Sequence, residues 1–228
     1  MIEEHVEEMI NDLKEVTPHI VDRKESYRLR PKDFSSRVAR IIVHVTAGFT
    51  DFLFKGRYNH RAVVIETIAS VPGIIGGMFQ HLKSLRYIQD DRGWIKTLLD
   101  EAENERIHLL VYSELAQPTK FERFLIIVVQ FLFAIFYFFV YLFSPRTAHR
   151  VVGFFEEEAI TSYEHFLQGT KEGLYENVKA PALAISYWNL SLEARLTDVI
   201  EATIKDEMTH RDVNHQFADD QKGTNLWK

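Results

Sequence analysis

The stretch DEAENERIHLL at residues 100–110 decides the fold, because it contains the motif Glu105-x-x-His108, which recurs as Glu207-x-x-His210. Residues i and i+3 of an α-helix point the same way, so each motif directs one carboxylate and one imidazole to the same place. A single motif of this kind is common by chance and is usually a solvated helix face. Two motifs, each on a helix whose opposite face is apolar, indicate a shared metal site.

A glutamate next to or within an apolar run precedes each motif. Glu66 lies within AVVIETIA at residues 62–69, and Glu156 follows VVGFF at residues 151–155. A charge in such a run needs a partner, because burying it alone is costly. The order Glu, Glu-x-x-His, Glu, Glu-x-x-His is the ligand set of ferritin-like di-iron and di-manganese bundles. Carboxylates with few imidazoles and no thiolates suit iron or manganese better than zinc or copper(I). The sequence therefore predicts an all-α, ferritin-like four-helix bundle around a dinuclear metal site.

The composition excludes several other kinds of site. The 228 residues contain no cysteine and carry a net charge of −6. Without cysteine there are no disulfides, thiolate zinc sites, iron–sulfur clusters or cysteine-attached haem, and the acidic balance argues against general nucleic-acid binding. Residues 22–61 nevertheless hold ten Lys or Arg against four Asp or Glu. Beside apolar helices, such a local excess indicates contact with an anionic membrane surface.

Apolar residues recur at helical spacing along most of the chain. The expected parts are an N-terminal arm over residues 1–34 with a short helix near 2–15, a di-iron bundle over residues 35–218, and a C-terminal tail over residues 219–228. The helices expected within the bundle are 35–54, 60–87, 94–115, 121–143, 145–169 and 196–217.

Two of these helices have distinctive residues. Helix 35–54 begins with Arg37 and Arg40, and we expect it to lie at a membrane interface, with these bases near lipid head groups, rather than to face only the core. In helix 60–87, Pro72 is expected to introduce a bend. The glycines that follow Pro72 permit another helix to approach closely.

Residues 124–143 form an apolar run with a single glutamine, Gln130, and could, by hydropathy, form a transmembrane helix. We expect this helix not to span the membrane. Glu105 lies about 15 Å from the end of its helix, helix 121–143 is about 34 Å long, and Glu156 lies about 16 Å into the next helix. If the chain runs up from Glu105, down helix 121–143 and up the next helix by these lengths, Glu156 lies nearly level with Glu105. The helix therefore crosses over antiparallel, with its apolar side dipped into one leaflet, and part of that side can bury a dimer partner.

Further side chains lie close to the predicted ligands. Tyr163 lies two turns beyond Glu156, on the same helix face. It is either a buried phenol bonded to a carboxylate or a redox-active, proton-donating tyrosine. Asp206 and Arg211 flank the second motif and are candidates for contacts behind the ligands. Trp188 and His215 are interpreted as packing and structural residues.

With these residues placed, the chain resembles the alternative oxidase family over about residues 38–218. The longest matching stretches are ETIASVPG at residues 66–73, EAENERIH at 101–108, EEEAITSY at 156–163 and HRDVNH at 210–215. The chain departs from the family at Ile107, where Met is frequent, and at Met208-Thr209, where Ala-His is usual. It also lacks the regulatory cysteines of plant members.

The resemblance implies a membrane-bound, non-haem di-iron oxidase that takes electrons from ubiquinol and reduces O2 to water without pumping protons. It implies a homodimer on one leaflet, and it makes Tyr163 the catalytic tyrosine beside the metals. The iron ligands that it carries over are Glu66, Glu105, His108, Glu156, Glu207 and His210. The quinol pocket that it carries over contains Arg61, Ile65, Glu158, Ala159 and Ser162.

Two other functions are compatible with the same ligands. A di-iron monooxygenase acting on a quinone ring also activates O2, and it would yield a hydroxylated product. An iron-storage or non-catalytic iron-binding membrane protein would use these ligands without turnover, although storage normally needs a soluble cage. For location, the acidic start resembles no secretory or transit segment. We therefore expect the cytoplasmic face of a bacterial inner membrane, with the matrix face of the mitochondrial inner membrane as the alternative.

Overall fold

The computed structural model describes residues 27–54 and 58–221, with side chains described at 27–48 and 62–221. This part of the chain is all-α, as predicted, with seven helices and one isolated bridge between Lys179 and Arg195. The helices are α1 (Phe34–Phe54), α2 (Tyr58–Tyr87), α3 (Trp94–Ala116), α4 (Lys120–Phe143), α5 (Pro145–Lys171), α6 (Ala182–Tyr187) and α7 (Leu196–Asp220). The six long helices agree with the predicted ones to within three residues at either end. The helix expected near residues 2–15 lies outside the described residues.

Two helix pairs form the bundle and carry the motifs. α2 packs along α3 and α5 packs along α7, and these are the most extensive pairings among the described helices. α4 joins the pairs by contacting both α2 and α5. Because Glu66, Glu105, Glu156 and Glu207 lie one on each paired helix, this arrangement gathers all four carboxylates. The predicted antiparallel crossover is confirmed, because Glu105 and Glu156 meet in one cluster on either side of α4 in the sequence.

The close contact between α2 and α3 depends on glycine. A Cβ atom at Gly73 would overlap the carbonyl oxygen of Leu98 and crowd Ala102, so any larger residue would push the helices apart. Pro72 lies inside α2, which continues as helix to Tyr87. The bend expected at Pro72 stays a prediction.

Within the described part of the chain, two helices are long and apolar enough to cross a membrane, but they differ in burial. The most apolar stretch within Ala62–Tyr87 of α2 has a mean hydropathy of 1.7, and 61% of it is buried inside the protein. The most apolar stretch of α4 has a mean hydropathy of 2.6, and only 11% of it is buried. In α4, Tyr137 and Tyr141 alone are buried. α2 is therefore a core helix, whereas α4 exposes an apolar side along its length.

α1 has both an inward and an outward apolar face. Ala39 and Val43 pack on residues of α5, whereas Ile41 and Val45 are exposed. α1 is thus both core-facing and exposed, rather than one or the other. The segment before α1 lies against the bundle, where the backbone N–H of Leu29 donates to a carboxylate of α5 at 2.7 Å. The division into arm, bundle and tail stays a prediction.

Candidate metal centre

The two Glu-x-x-His motifs and the two preceding glutamates meet in one buried cluster. It contains two overlapping sets of four side chains, and within each set the potential ligand atoms lie within 4.8 Å of one another. One set is Glu66, Glu105, His108 and Glu207, and the other is Glu105, Glu156, Glu207 and His210. Glu105 and Glu207 belong to both sets. The geometry therefore suits two cations bridged by two shared carboxylates.

All six side chains are buried, and the four glutamates are 3% exposed or less. The polar atoms left without a hydrogen-bond partner include Glu66 Oε2, both carboxylate oxygens of Glu105, Glu207 Oε2, His108 Nδ1 and His210 Nδ1. Buried carboxylates without partners are costly, and cations placed among them would satisfy these atoms. A set of many carboxylate oxygens, two imidazole nitrogens and no sulfur fits iron or manganese.

The electrostatics of the cluster also call for positive charge. Burial raises the pKa of Glu66 and of Glu156 well above the usual range, and repulsion from the shared glutamates adds to this effect. Burial acts in the same direction on Glu105, but His210 and His108 hold the pKa of Glu105 well below its usual range. Four ionised carboxylates at this spacing need protons or metal ions among them.

His108 lies between the cluster and a hydrogen-bond network behind it. Its Nδ1 is 3.4 Å from oxygens of Glu66 and Glu207 and 3.5 Å from Glu105. Its Nε2 is 3.1 Å from Oδ2 of Asp206. Burial opposes a charge on His108, but the bond to Asp206 and the cluster carboxylates raise its pKa well above the usual value. In the neutral ring, this bond places the proton on Nε2 and turns the Nδ1 lone pair toward the cluster.

Asp206 is itself held by two further donors. Asn104 Nδ2 and Trp188 Nε1 each donate at 2.8 Å to the same Oδ2 that meets His108. Burial would raise the pKa of Asp206, but these three donors lower it below its usual value. Asp206 therefore lies behind a predicted ligand, as expected. The interpretation of Trp188 as packing alone is wrong, because its indole N–H fixes this carboxylate.

His210 has different surroundings. Its Nδ1 is 2.7 Å from Oε1 of Glu105 and 3.5 Å from Oε2 of Glu207. Among the described residues, no side chain forms a hydrogen bond with its other ring nitrogen. Glu101 interacts with His210 electrostatically, but both oxygens of Glu101 already accept from Asn214 at 2.9 Å. Burial raises the pKa of Glu101 to about 7, with His210 and Asn214 acting in the opposite direction.

Glu101 ends a chain of buried hydrogen bonds that connects five helices. Asn214 Oδ1 is 3.0 Å from His149 Nδ1, His149 Nε2 is 3.1 Å from the Tyr141 hydroxyl, and Gln80 Nε2 donates to that hydroxyl at 3.3 Å. Burial lowers the pKa of His149 to about 4, so its ring is neutral, with one nitrogen donating and the other accepting. Every donor then points toward Glu101. Because the amide of Asn214 does not readily carry a proton, this chain fixes positions rather than conducting protons.

Tyr163 lies on the Glu66 side of the cluster, and its hydroxyl donates a hydrogen bond to Glu66 Oε1. Burial and the neighbouring Glu66 raise the pKa of Tyr163 well above its usual value. Its ring stacks on the ring of Tyr112, with the centroids 5.3 Å apart. The Tyr112 hydroxyl is 3.1 Å from Oγ1 of Thr203. Tyr163 is thus a buried phenol bonded to a predicted ligand.

An apolar cavity of about 590 Å³, including its open mouth, lies among α1, α2, α4 and α5. It reaches Glu156 of the cluster, and Ile65, Glu158 and Ala159 line its wall. A smaller cavity is lined by Ile65, Ala159, Ser162 and Tyr163. Four of the five residues expected around a quinol therefore line these two cavities. The fifth, Arg61, has a side chain outside the described residues.

The three consecutive glutamates of α5 have separate surroundings. Only Glu156 joins the cluster. Glu157 is buried, pairs with Arg40 at 3.0 Å and lies 3.0 Å from Nε2 of His215. Glu158 is 45% exposed and lies 3.3 Å from the same guanidinium. The carboxylates of α5 thus hold Arg40 toward the protein, and its expected place near lipid head groups stays a prediction.

Sequence reasoning missed several polar residues around the cluster. Glu101, Asn104 and Asn214 each lie four residues from a predicted ligand, so they occupy the same helix face one turn away. That spacing could have found them. The role of Trp188 had no such signal, because it comes from the short segment after α6. Arg211, expected behind the ligands, instead donates to the adjacent aspartate at 2.7 Å.

Comparisons with known proteins bear on this site. The family model described as "Alternative oxidase" matches residues 16–219. The chain is 51% identical over 189 residues to the mitochondrial ubiquinol oxidase of Batrachochytrium dendrobatidis (strain JAM81 / FGSC 10211), which covers 83% of this chain and 60% of the relative. It is 51% identical over 190 residues to mitochondrial ubiquinol oxidase 2 of Glycine max and of Arabidopsis thaliana, covering 83% of this chain and 57% and 54% of those proteins. The chain thus spans less than two thirds of the length of these relatives.

Proposed function

Because the chain belongs to the alternative oxidase family, we propose that it is a membrane-bound di-iron quinol oxidase. It would take electrons from ubiquinol and reduce O2 to water without pumping protons. The observation that carries this proposal is the pair of overlapping ligand sets beside an apolar cavity that reaches Glu156. A site that only stored iron would not need an apolar cavity leading to one of its ligands.

The ligand sets divide the work among the six side chains. Glu105 and Glu207, which belong to both sets, would be shared by two iron ions, with Glu66 and His108 completing one position and Glu156 and His210 the other. Iron held there would supply the redox chemistry for reducing O2. The four negative charges of the carboxylates would balance the four positive charges of two divalent cations. The cations would thereby offset the repulsion among the buried carboxylates.

The cavity provides a place for the quinol ring. Its apolar wall suits the isoprenoid-bearing ring, and Glu158 can accept a proton from a quinol hydroxyl at the open side. Ser162 lies in the adjoining cavity, where its hydroxyl can bond a ring oxygen, and Arg61 is proposed for the same pocket. Tyr163 borders that smaller cavity and donates to Glu66. It would therefore be placed to give one proton and one electron to the reduction of O2, and electrons from the quinol would restore the phenol.

The exposed apolar side of α4 supports attachment to one leaflet. Phe131 and Leu132 are 65% and 60% exposed, with further exposed residues along the helix, and the outer face of α1 adds Ile41 and Val45. A soluble monomer rarely exposes so large an apolar area. We propose a monotopic protein of the bacterial inner membrane or of the mitochondrial inner membrane.

A second apolar stripe supports a homodimer. Ile74, Met78, Leu82 and Leu85 of α2 are 57%, 40%, 47% and 63% exposed, at spacings that place them on one helix face. Two copies of this stripe could cover each other about a twofold axis. In this cysteine-free chain, Leu82→Cys should give a disulfide-linked dimer under oxidation, whereas the exposed Lys96→Cys on α3 should not.

The deciding experiment is O2 uptake by membranes that contain the protein, with ubiquinol supplied and cyanide present to block haem–copper oxidases. We expect uptake at two quinols per O2, and its loss in Glu105→Ala. The matched control is Glu103→Ala, which changes an exposed glutamate of the same helix. An oxygenated quinone product would instead identify a monooxygenase. If the iron-loaded protein took up no O2, the proposed oxidase function would be contradicted.

A further inference from the structure

The two metal positions share two ligands, but the residues behind their unshared ligands differ. Behind His108 lies the carboxylate of Asp206, at 3.1 Å from Nε2. Behind His210, the described residues offer no hydrogen-bond acceptor to the corresponding nitrogen. The two imidazoles also differ in exposure, since the side chain of His108 is fully buried and that of His210 is 8% exposed.

The support behind His108 is rigid. Asp206 accepts from three donors at one oxygen, two of which, Asn104 and Trp188, come from separate parts of the chain. The Trp188 ring also contacts the His108 ring, with centroids 5.6 Å apart. A carboxylate that accepts the far N–H of a ligating histidine fixes its tautomer and orientation and makes the other nitrogen a stronger donor to the metal.

The support behind His210 is of another kind. Glu101 is the carboxyl on that side, but its two oxygens face Asn214, whose amide also donates to the backbone carbonyl of His210. This contact holds the helix backbone rather than the imidazole. Among the described residues, no carboxylate therefore accepts the far N–H of His210 to fix its tautomer, although the ring is buried.

We propose that the two positions hold their ions unequally, with the Glu66–His108 position releasing its ion more slowly than the Glu156–His210 position, and with Asp206 as the positioning residue that makes the difference. The inference rests on the proposed di-iron centre. Removing a carboxylate of this kind typically lowers metal affinity by about 10- to 100-fold. We expect a difference in release rate of at least about tenfold between the two positions.

The test uses the full chain loaded with ferrous iron under anaerobic conditions and challenged with a chelator that colours on binding Fe²⁺. The expected release is biphasic, with one ion per chain leaving at least about tenfold faster than the other. In Asp206→Asn, the slow phase should accelerate toward the fast one. Glu201→Gln, an exposed change on the same helix, should leave both phases unaltered.

A second variant keeps the test decisive if Asp206→Asn folds poorly. Trp188→Phe removes one donor from Asp206 and keeps its carboxylate, so it should accelerate only the slow phase, and by less. Two ions released at one rate, or a slow phase unchanged in both variants, would overturn the inference while leaving the di-iron centre intact. A loaded chain that holds fewer than two ions would contradict the centre itself, and this inference with it.

Discussion

His108 and His210 occupy the same position in two copies of one motif, yet different residues lie behind them. His108 meets an aspartate that is fixed by an indole and an amide. His210 lies near a glutamate whose oxygens belong to a neutral chain of amide, imidazole and phenol. The motif determines that a histidine faces the carboxylate cluster. Residues outside the motif determine which groups lie behind that histidine.

The same contrast extends to the glutamates. Glu66 accepts a hydrogen bond from Tyr163, whereas Glu156 borders the apolar cavity. One half of the cluster therefore touches a phenol, and the other half borders the apolar cavity. Glu66 and Glu156 thus have different neighbours, although both side chains are buried.

The largest expected effect separates shared from unshared ligands. Glu207→Ala removes a ligand from both sets, so we expect loss of both ions from the chain. Glu156→Ala removes a ligand from one set only and should leave about one ion, because all four ligands of the other set remain. Iron content per chain, measured after gel filtration, checks both. If Glu156→Ala also loses both ions while Glu103→Ala keeps two, the two positions are not separable.

The next effect concerns Tyr163. Tyr163→Phe keeps the ring and its stacking on Tyr112 but removes the hydroxyl that bonds Glu66. Iron should stay bound at two ions per chain, while O2 uptake should fall at least about 100-fold, the range in which a positioned proton donor contributes. Tyr137→Phe, a change at another buried tyrosine, serves as the control for loss of a phenol. Full activity of the Tyr163 variant would remove the redox role and leave this residue as a structural phenol.

The sequence was sufficient for the helices and for the ligand cluster, for physical reasons. Helix ends are marked locally: Thr119 and Glu122 form a capping box at the start of α4, and Pro145 stands in the first turn of α5. Helix lengths then brought Glu105 and Glu156 to one level. Both steps use only spacing along the chain.

The surroundings of the cluster could not be predicted in the same way. Trp188 reaches Asp206 from a short segment whose path depends on packing, and Arg40 turns inward because Glu157, on a helix more than a hundred residues later, is buried beneath it. Such contacts depend on how separate helices are rotated against each other. Periodicity within one helix contains no information about that rotation.

A smaller effect tests the neutral chain on the His210 side. Burial keeps the pKa of His149 at about 4, whereas an unfolded histidine titrates near pH 6.5. Between these values the unfolded state binds more protons, so the free energy of unfolding should fall as the pH drops, by about 2 kcal/mol from this residue between pH 6.5 and 5. Urea unfolding of His149→Gln should show a correspondingly shallower pH dependence than the parent chain. His165→Gln, at an exposed position of the same helix, should keep the pH dependence of the parent chain. Equal pH dependence in the parent and in His149→Gln would show that the pKa of His149 is not lowered by folding.

The smallest effect tests the packing behind Tyr163 on the His108 side. Tyr112→Phe keeps the stacked ring but removes its hydrogen bond to Thr203, which should lower the free energy of unfolding by about 1 kcal/mol and leave O2 uptake nearly unchanged. Tyr112→Leu also removes the stacked ring, so Tyr163 should lose its fixed orientation and uptake should fall further than stability alone explains. Urea unfolding and O2 uptake of the two variants, measured together, separate hydrogen bonding from ring placement. If Tyr112→Phe impaired uptake as strongly as Tyr112→Leu, the hydroxyl rather than the ring would be the group on which Tyr163 depends.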